Sequence, residues 1–549
     1  MGGESSVPAW LAELRLAYES GAHGQFVLYG NVADRFPLDG RLVSLTRYLE
    51  AKLLGTFDLV FLYDPGNGLS LLRGGERFAQ WPAAEKVQPW PHEPRAAIEL
   101  ISRYLRYRAN LRALGRGDAE HVAVILRGAE LVLPASRQGD FATASLASLV
   151  RDWAAEPPFA DMAFASLLLA DNLADLHPLV ANNPRIDRVQ VPLPDADSLG
   201  QCLAQLRVDH PQAFAAADNG AVQALAGVSL SALASLVKRR AHEGKVLGPR
   251  DWAEAKKQLV ENDSAGLVEF IESTRSLDDY HAQDALKSWL RQDMALWQAA
   301  DLRALPKGYI FCGPVGTGKT YLVECLAGEA GVPVVKLKNF RDRWVGSSEG
   351  NLEKIFRLIR GLGRCIVFID EADQTLGRRD AGSGDSGLSG RLYSMIAQEM
   401  GDADNRGKVI WILASSRPDL IEVDLKRPGR VDVKIPLLPT TTVEESAALL
   451  KALLGRFDLK LESKALAKLA LPLLLTPGAA EALAVKVYRQ VRTAGLQPLA
   501  ALQQCLQGYQ PPVSEQVLRL QMGIAIREAT DMAFVPESLR HLGQESASP

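Results

Sequence analysis

A chain of 549 residues has room for about three or four units of ordinary domain size, and its 47% hydrophobic residues can fill their cores. The formal net charge of −3 offers no general case for nucleic-acid binding, and no apolar run reaches the roughly 18 residues of a membrane span. Five scattered cysteines without a CxxC pair read as buried thiols of a reducing compartment, which points to a cytoplasmic protein. In chain order, Pro8 to Tyr18 has the spacing of an amphipathic helix, so residues 1–24 form an N-terminal helical segment. Met1 to Ser6 fits the loose myristoylation pattern, but reads better as a flexible start.

Residues 25–194 read as an α/β module. The apolar run from Gln25 breaks at Gly30 and is expected to feed a helix. Val122 to Leu126 is a second apolar strand and Ser166 to Ala170 a third. Between the first two, Asp64 to Pro94 is rich in Gly, Pro and Trp and reads as a loop-bearing insertion. Residues 195–250 are helical by periodicity, with the stretch from Gly227 packing as a small helical lid. Residues 251–300 read as a charged helical connector.

At Gly313 to Thr320 the sequence GPVGTGKT fits G-x-x-x-x-G-K-[ST] between a strand-like run and a helix-prone one. Glycines let backbone N–H groups turn inward around phosphates, and a helix N-terminus adds favourable partial charge. Gly313, Pro314, Val315, Gly316, Thr317, Gly318, Lys319, Thr320 and Tyr321 are therefore candidates for holding ATP. Lys319 would neutralise the terminal phosphates, and the Thr320 hydroxyl would ligate Mg²⁺. The strand Cys365 to Ile369 ends in Asp370 and Glu371. Asp370 would hold Mg²⁺ through water, and Glu371 would polarise the attacking water. A further apolar strand, Val409 to Ala414, ends in Ser415-Ser416, and Arg427 and Arg430 follow three residues apart.

In these motifs the chain resembles the AAA family of ATPases. The resemblance implies a P-loop parallel sheet with helices on both faces and a small helical lid, here core 301–439 and lid 440–510; residues 511–549, outside the resemblance, read as a last helix and tail. It implies that Arg427 and Arg430 act as arginine fingers on the neighbouring subunit's nucleotide, and hence a ring, expected to be a homo-hexamer. Where the family usually has asparagine to orient the attacking water, this chain has Ser416, which predicts a slower ATPase. Gly478 and Ala479 stand where the family contacts adenine and ribose. Trp344, Val345 and Gly346 match the triplet that lines the family's pore and grips an extended polypeptide, an aromatic face packing on any backbone. Gly377 to Gly390 stands where a second pore loop would, and reads equally as a plain connector.

The N-terminal half parallels the C-terminal half. The strand ending at Gly30 matches the strand ending at Gly313, with Phe36 and Pro37 in place of Lys319 and Thr320. Val122 to Glu130 matches Ile366 to Asp373, with Arg127 and Gly128 in place of Asp370 and Glu371. This reads as an internal duplication with a degenerate first copy. The expected function is a chaperone-like motor that remodels or unfolds a protein partner through a central pore. The alternative is an assembly or regulatory ATPase that switches partner binding with its nucleotide state and does not thread.

Overall fold

The protein is described from a computed structural model that covers residues 7–544, apart from 117–119, 136–139, 160, 215–221, 223–224, 265, 281–283, 300–302, 339–347, 377–385, 404 and 467. The chain divides into two compact units: Met1–Ser264 with Gly346–Leu362, and Ala265–Val345 with Gly363–Pro549.

The first unit contains β1 (Gln25–Gly30), β2 (Arg35–Leu38), β3 (Arg41–Ser44), β4 (Leu59–Asp64), β5 (Gly68–Arg73), β6 (Val122–Arg127), β7 (Phe164–Ala170) and β8 (Asp187–Val191). Six of these form one sheet in the order β5-β4-β6-β7-β1-β8, parallel except for β5, which runs antiparallel to β4. The central strands are buried on both faces, as parallel strands covered by helices must be. Along β1 the side chains alternate, with Phe26 and Leu28 in the core beneath helix Ala9–Glu19 and Val27 in the core on the opposite face.

The second unit contains β9 (Val268–Ile271), β10 (Gly308–Cys312), β11 (Val334–Leu337), β12 (Cys365–Ile369), β13 (Val409–Ser415) and β14 (Val433–Pro436). Their order is β14-β10-β13-β12-β11-β9, again parallel except for the edge strand β9. Reading β8-β1-β7-β6-β4 against β14-β10-β13-β12-β11 gives the same strand order twice. The two units are thus α/β folds of one topology with helices on both faces, as the duplication predicts. Only the antiparallel edge differs in origin: it follows β4 by a hairpin in the first unit and enters from upstream in the second.

Three segments differ from their sequence reading. The stretch after Gly30 does not enter a helix directly. It forms the β2–β3 hairpin, turned at Asp39-Gly40 with φ of 48° and 73°, and the helix starts only at Leu45. Phe36 is held there by stacking on Tyr48, with ring centroids 5.3 Å apart, so the position aligned with the phosphate lysine is a core residue. The expected insertion after Asp64 carries β5 and the helix Gly75–Ala79. The expected connector carries β9 between the helices Pro249–Asp263 and Asp284–Gln298.

Four helices follow β14 as a separate bundle: Val443–Gly455, Ser463–Leu466, Pro477–Ala494 and Pro498–Gln507, with their own apolar core. The first opens with a capping box between Thr442 and Glu445. The helix Glu515–Glu528 then returns to pack beside β14. All five cysteines are buried, and none is in a disulfide. Among the described residues, no helix is long and apolar enough to cross a membrane.

Candidate active site

The loop after β10 is fixed by two glycines that no other residue could replace cheaply. Gly313 has φ 147°, and a Cβ there would collide with the Leu437 carbonyl oxygen. Gly316 has φ 85°, and its Cβ would sit 3.0 Å from Thr476 Oγ1. Thr317 is buried, donating its hydroxyl to the Pro314 carbonyl at 2.9 Å, and Tyr280 Oη donates to the Thr317 carbonyl at 3.1 Å. Gly318 caps the helix Lys319–Ala330 in the left-handed conformation, so that helix's free N–H groups open towards the loop. Lys319 Nζ is drawn to the carbonyls of Gly313 and Pro314, at 2.8 and 2.9 Å. Burial pushes its pKa down to about 8, although Asp370, Asp373 and Glu371 pull the other way.

The end of β12 supplies the carboxylates. Asp370 Oδ2 accepts from Thr320 Oγ1 at 3.2 Å and from Lys336 Nζ at 2.9 Å, while Asp370 Oδ1 accepts from the Glu371 N–H at 3.1 Å. Glu371 is exposed and has φ 47°, ψ 47°, a left-handed conformation that is uncommon outside glycine. It opens the short helix Ala372–Thr375, which places Asp373 beside the end of β13. There the buried Ser415 donates to Asp373 Oδ1 at 2.6 Å and accepts from the Arg417 N–H at 2.9 Å.

These groups meet in one cavity of about 490 Å³, inside the roughly 300–1,000 Å³ usual for ligand sites. Val315, Gly316, Gly318, Lys319, Thr320 and Tyr321 line one wall, Asp370, Glu371 and Ser416 another, and Gly478 closes it from the helical bundle. The Gly478 N–H donates to the Gly316 carbonyl at 2.9 Å, which ties bundle and loop together. Gly313, Pro314 and Thr317 build the loop without lining the cavity, and Ala479 is buried at the start of helix Pro477–Ala494, where Thr476 Oγ1 accepts from its N–H.

Several residues of this wall escaped the sequence reading. Asp279 and Tyr280 enter from upstream of β10. Arg456 reaches from the bundle to donate to Tyr321 Oη at 2.7 Å, and its guanidinium lies over the Tyr321 ring at 5.3 Å from the centroid. Asp373 and Ser415 of the wall were missed as well, and so was Lys336, which contacts Asp370 without lining the cavity.

The two arginines stand apart from this cavity. Arg427 is exposed and pairs with Asp424 at 2.5 Å. Arg430 is half-buried, pairs with the same carboxylate and donates to the Asp424 carbonyl at 2.9 Å. Trp344, Val345 and Gly346 lie outside the described residues. So does most of Gly377 to Gly390, within which helix Ser386–Gly401 begins.

The first unit has a smaller cavity of about 280 Å³ at the corresponding ends of its strands. Arg127 pairs there with Asp64 at 3.1 Å. Asp34, nearly buried, accepts from the N–H groups of Leu230 and Ser231 at 2.9 and 2.8 Å, so an internal carboxylate occupies the N-terminus of helix Leu230–His242.

A glycine loop feeding a helix N-terminus, with a threonine and a strand-end carboxylate beside it, on a parallel sheet of this order, defines a P-loop nucleoside-triphosphatase fold. Residues 309–438 match the family description "ATPase family associated with various cellular activities (AAA)". Residues 2–192 match "AAA+ chaperone, N-terminal Rossmann-like domain". The chain belongs to the AAA ATPases and carries tandem modules, an AAA+ chaperone N-terminal domain followed by an AAA ATPase domain. A stretch of 164 residues is 34% identical to a Cell division cycle protein 48 homolog of Archaeoglobus fulgidus, covering 29% of this chain and 22% of that protein. Another match is 34% identical over 158 residues to Peroxisomal ATPase PEX6 of Penicillium chrysogenum, covering 28% and 11%. A third is 34% identical over 179 residues to the ATP-dependent zinc metalloprotease FtsH of Mycobacterium tuberculosis, covering 32% and 22%. The chain spans about a fifth of the length of these relatives, or less.

Proposed function

We propose that the second unit hydrolyses ATP and that the chain uses the energy to remodel a protein partner. The observation that carries this reading is the single cavity in which the Gly313–Thr320 loop, the Asp370–Glu371 pair, Ser416 and the bundle residue Gly478 converge. In this reading the loop N–H groups and Lys319 hold the phosphates, and Glu371 accepts a proton from the attacking water. Thr320 and Asp370 would hold Mg²⁺, whose charge offsets that of the phosphates. Their oxygens, 3.2 Å apart, fit such an ion, which takes few protein ligands when it is bound to a nucleotide. Ser416, with its short hydroxyl at the edge of the cavity, supports a slow turnover.

Arg427 would complete the site of a neighbouring copy in a ring, with six copies the expected number and Arg430 bracing the loop. Its exposure supports that assignment. Five buried cysteines outside any disulfide support work in the reducing cytoplasm. A second reading, in which the chain holds and releases a partner without threading it, draws support from the first unit: its hairpin and the Asp34 clamp suit a fixed docking platform.

The test is ATP turnover in wild type, Lys319→Ala and Glu371→Gln. The second variant is expected to bind ATP and hydrolyse at least about 100-fold slower. Undiminished turnover in Glu371→Gln would overturn the role given to that carboxylate. Capture on Glu371→Gln in ATP then separates the readings: a partner lost on adding Trp344→Ala is gripped in the pore, whereas one that depends only on residues 1–245 is held by the platform.

A further inference from the structure

Lys336 lies on β11, next to the strand that ends in Asp370, and no motif announces it. Its ammonium donates to Asp370 Oδ2 at 2.9 Å, the oxygen that also accepts from Thr320 at 3.2 Å. Both partners are partly shielded from water, with side-chain exposures of 25% for Lys336 and 29% for Asp370. The lysine stem leads past Phe368, whose ring centroid is 5.5 Å from the ammonium and whose residue is the register partner of Lys336. The long side chain is thereby aimed along β12 at the carboxylate. The corresponding strands of the first unit carry an ion pair of reversed sign, Arg127 on β6 with Asp64 on β4. A charge on the neighbouring strand answering the residue at the end of the carboxylate strand is therefore a feature of both copies.

We propose that Lys336 is a charge partner of the metal site, competing with the metal for Asp370 and setting the Mg²⁺ concentration at which the site responds. The proposal rests on the reading of Thr320 and Asp370 as the Mg²⁺-holding pair. A divalent cation that approaches Asp370 meets a fixed ammonium on the same carboxylate, and the repulsion weakens its hold. When Mg²⁺ is scarce the same ammonium, held against Asp370 of the cavity wall, offsets that carboxylate's repulsion of the phosphates. Lys336 thus makes nucleotide binding less dependent on the metal.

The experiment measures binding of a fluorescent ATP analogue to the full chain in EDTA and across a Mg²⁺ titration, for wild type, Lys336→Met, Lys336→Arg and Asp370→Asn. Lys336→Met is expected to bind more weakly in EDTA and to need roughly three- to tenfold less Mg²⁺ for half of the Mg²⁺ effect, the scale of one partly solvated charge repulsion. Lys336→Arg, which keeps the charge, is expected to stay near wild type. An unchanged or higher Mg²⁺ requirement in Lys336→Met, with a thermal midpoint that shows it folded, overturns the proposal. If that happens while Asp370→Asn loses its Mg²⁺ response, only the role of Lys336 fails. If Asp370→Asn keeps the wild-type response, the metal-site reading itself fails.

Discussion

Glu371 and Gly128 hold corresponding positions in the two units and share one backbone conformation, with φ 47° and 59°. In each, a left-handed residue turns the strand into a short helix, Ala372–Thr375 or Ala129–Val132. Only the second unit keeps a side chain there, at a cost in strain of the kind that clusters at functional sites. Glu371→Gly is therefore expected to be more stable than Glu371→Ala by about 0.5–1 kcal/mol, with hydrolysis lost in both. Denaturant midpoints measure the difference, and equal midpoints would show that no strain is stored. Lys319 gives a second prediction. Its ammonium titrates near about 8 in the folded chain, below the ordinary 10.5, because it is buried. Phosphate needs the charged form, so ATP binding should take up a proton at alkaline pH and weaken by up to about tenfold per unit above pH 8. For folding the sign is opposite: between the two values the unfolded chain holds more protons, so stability rises with pH through that window. Calorimetry in buffers of different ionisation enthalpy would detect the uptake, and a flat affinity from pH 7 to 9.5 would contradict it.

The helix Glu515–Glu528 supports the loop that carries both arginines. Its last residue accepts from Lys426 at 2.7 Å and from Lys434 at 2.9 Å, one on each side of Arg427 and Arg430. Burial pushes the Glu528 carboxyl up, but the hydrogen bonds from the two lysines outweigh it and hold it below the usual carboxylate range. Glu528→Gln is expected to destabilise the second unit by about 1–2 kcal/mol. It should lower turnover several-fold and leave ATP affinity near wild type, because the loop and not the cavity is disturbed. A matching loss of affinity would contradict this division. None of this clamp is legible in the sequence, since Glu528 lies about a hundred positions from its partners. The same holds for Lys336 with Asp370 and Ser415 with Asp373, where tertiary packing brings together residues on different elements. What the sequence does make legible is local: a continuous apolar run broken by glycine, a lysine-threonine pair at a helix start, two carboxylates closing a buried strand. The edge strand β9 was missed because its four residues lie between helix-preferring segments, and β5 because it lies in a stretch rich in glycine and proline.

At the scale of the whole molecule, the same strand order appears twice with different chemistry at the strand ends. The second copy gathers the phosphate loop, the carboxylates and the bundle around one cavity. The first replaces the loop by a hairpin and ties its helix Leu230–His242 through Asp34. In the function proposed above, one copy's Arg427 completes the cavity of the next, so that hydrolysis belongs to an assembly. Mixing two variants that are each impaired tests it most directly. Arg427→Ala keeps its own carboxylates and lacks the finger, whereas Glu371→Gln lacks the carboxylate and keeps the finger. If the fingers act between copies, co-assembled mixtures will hydrolyse ATP faster than either variant alone, with a maximum at intermediate ratios. A mixture whose rate is only the weighted mean of the two would show that Arg427 does not act between copies.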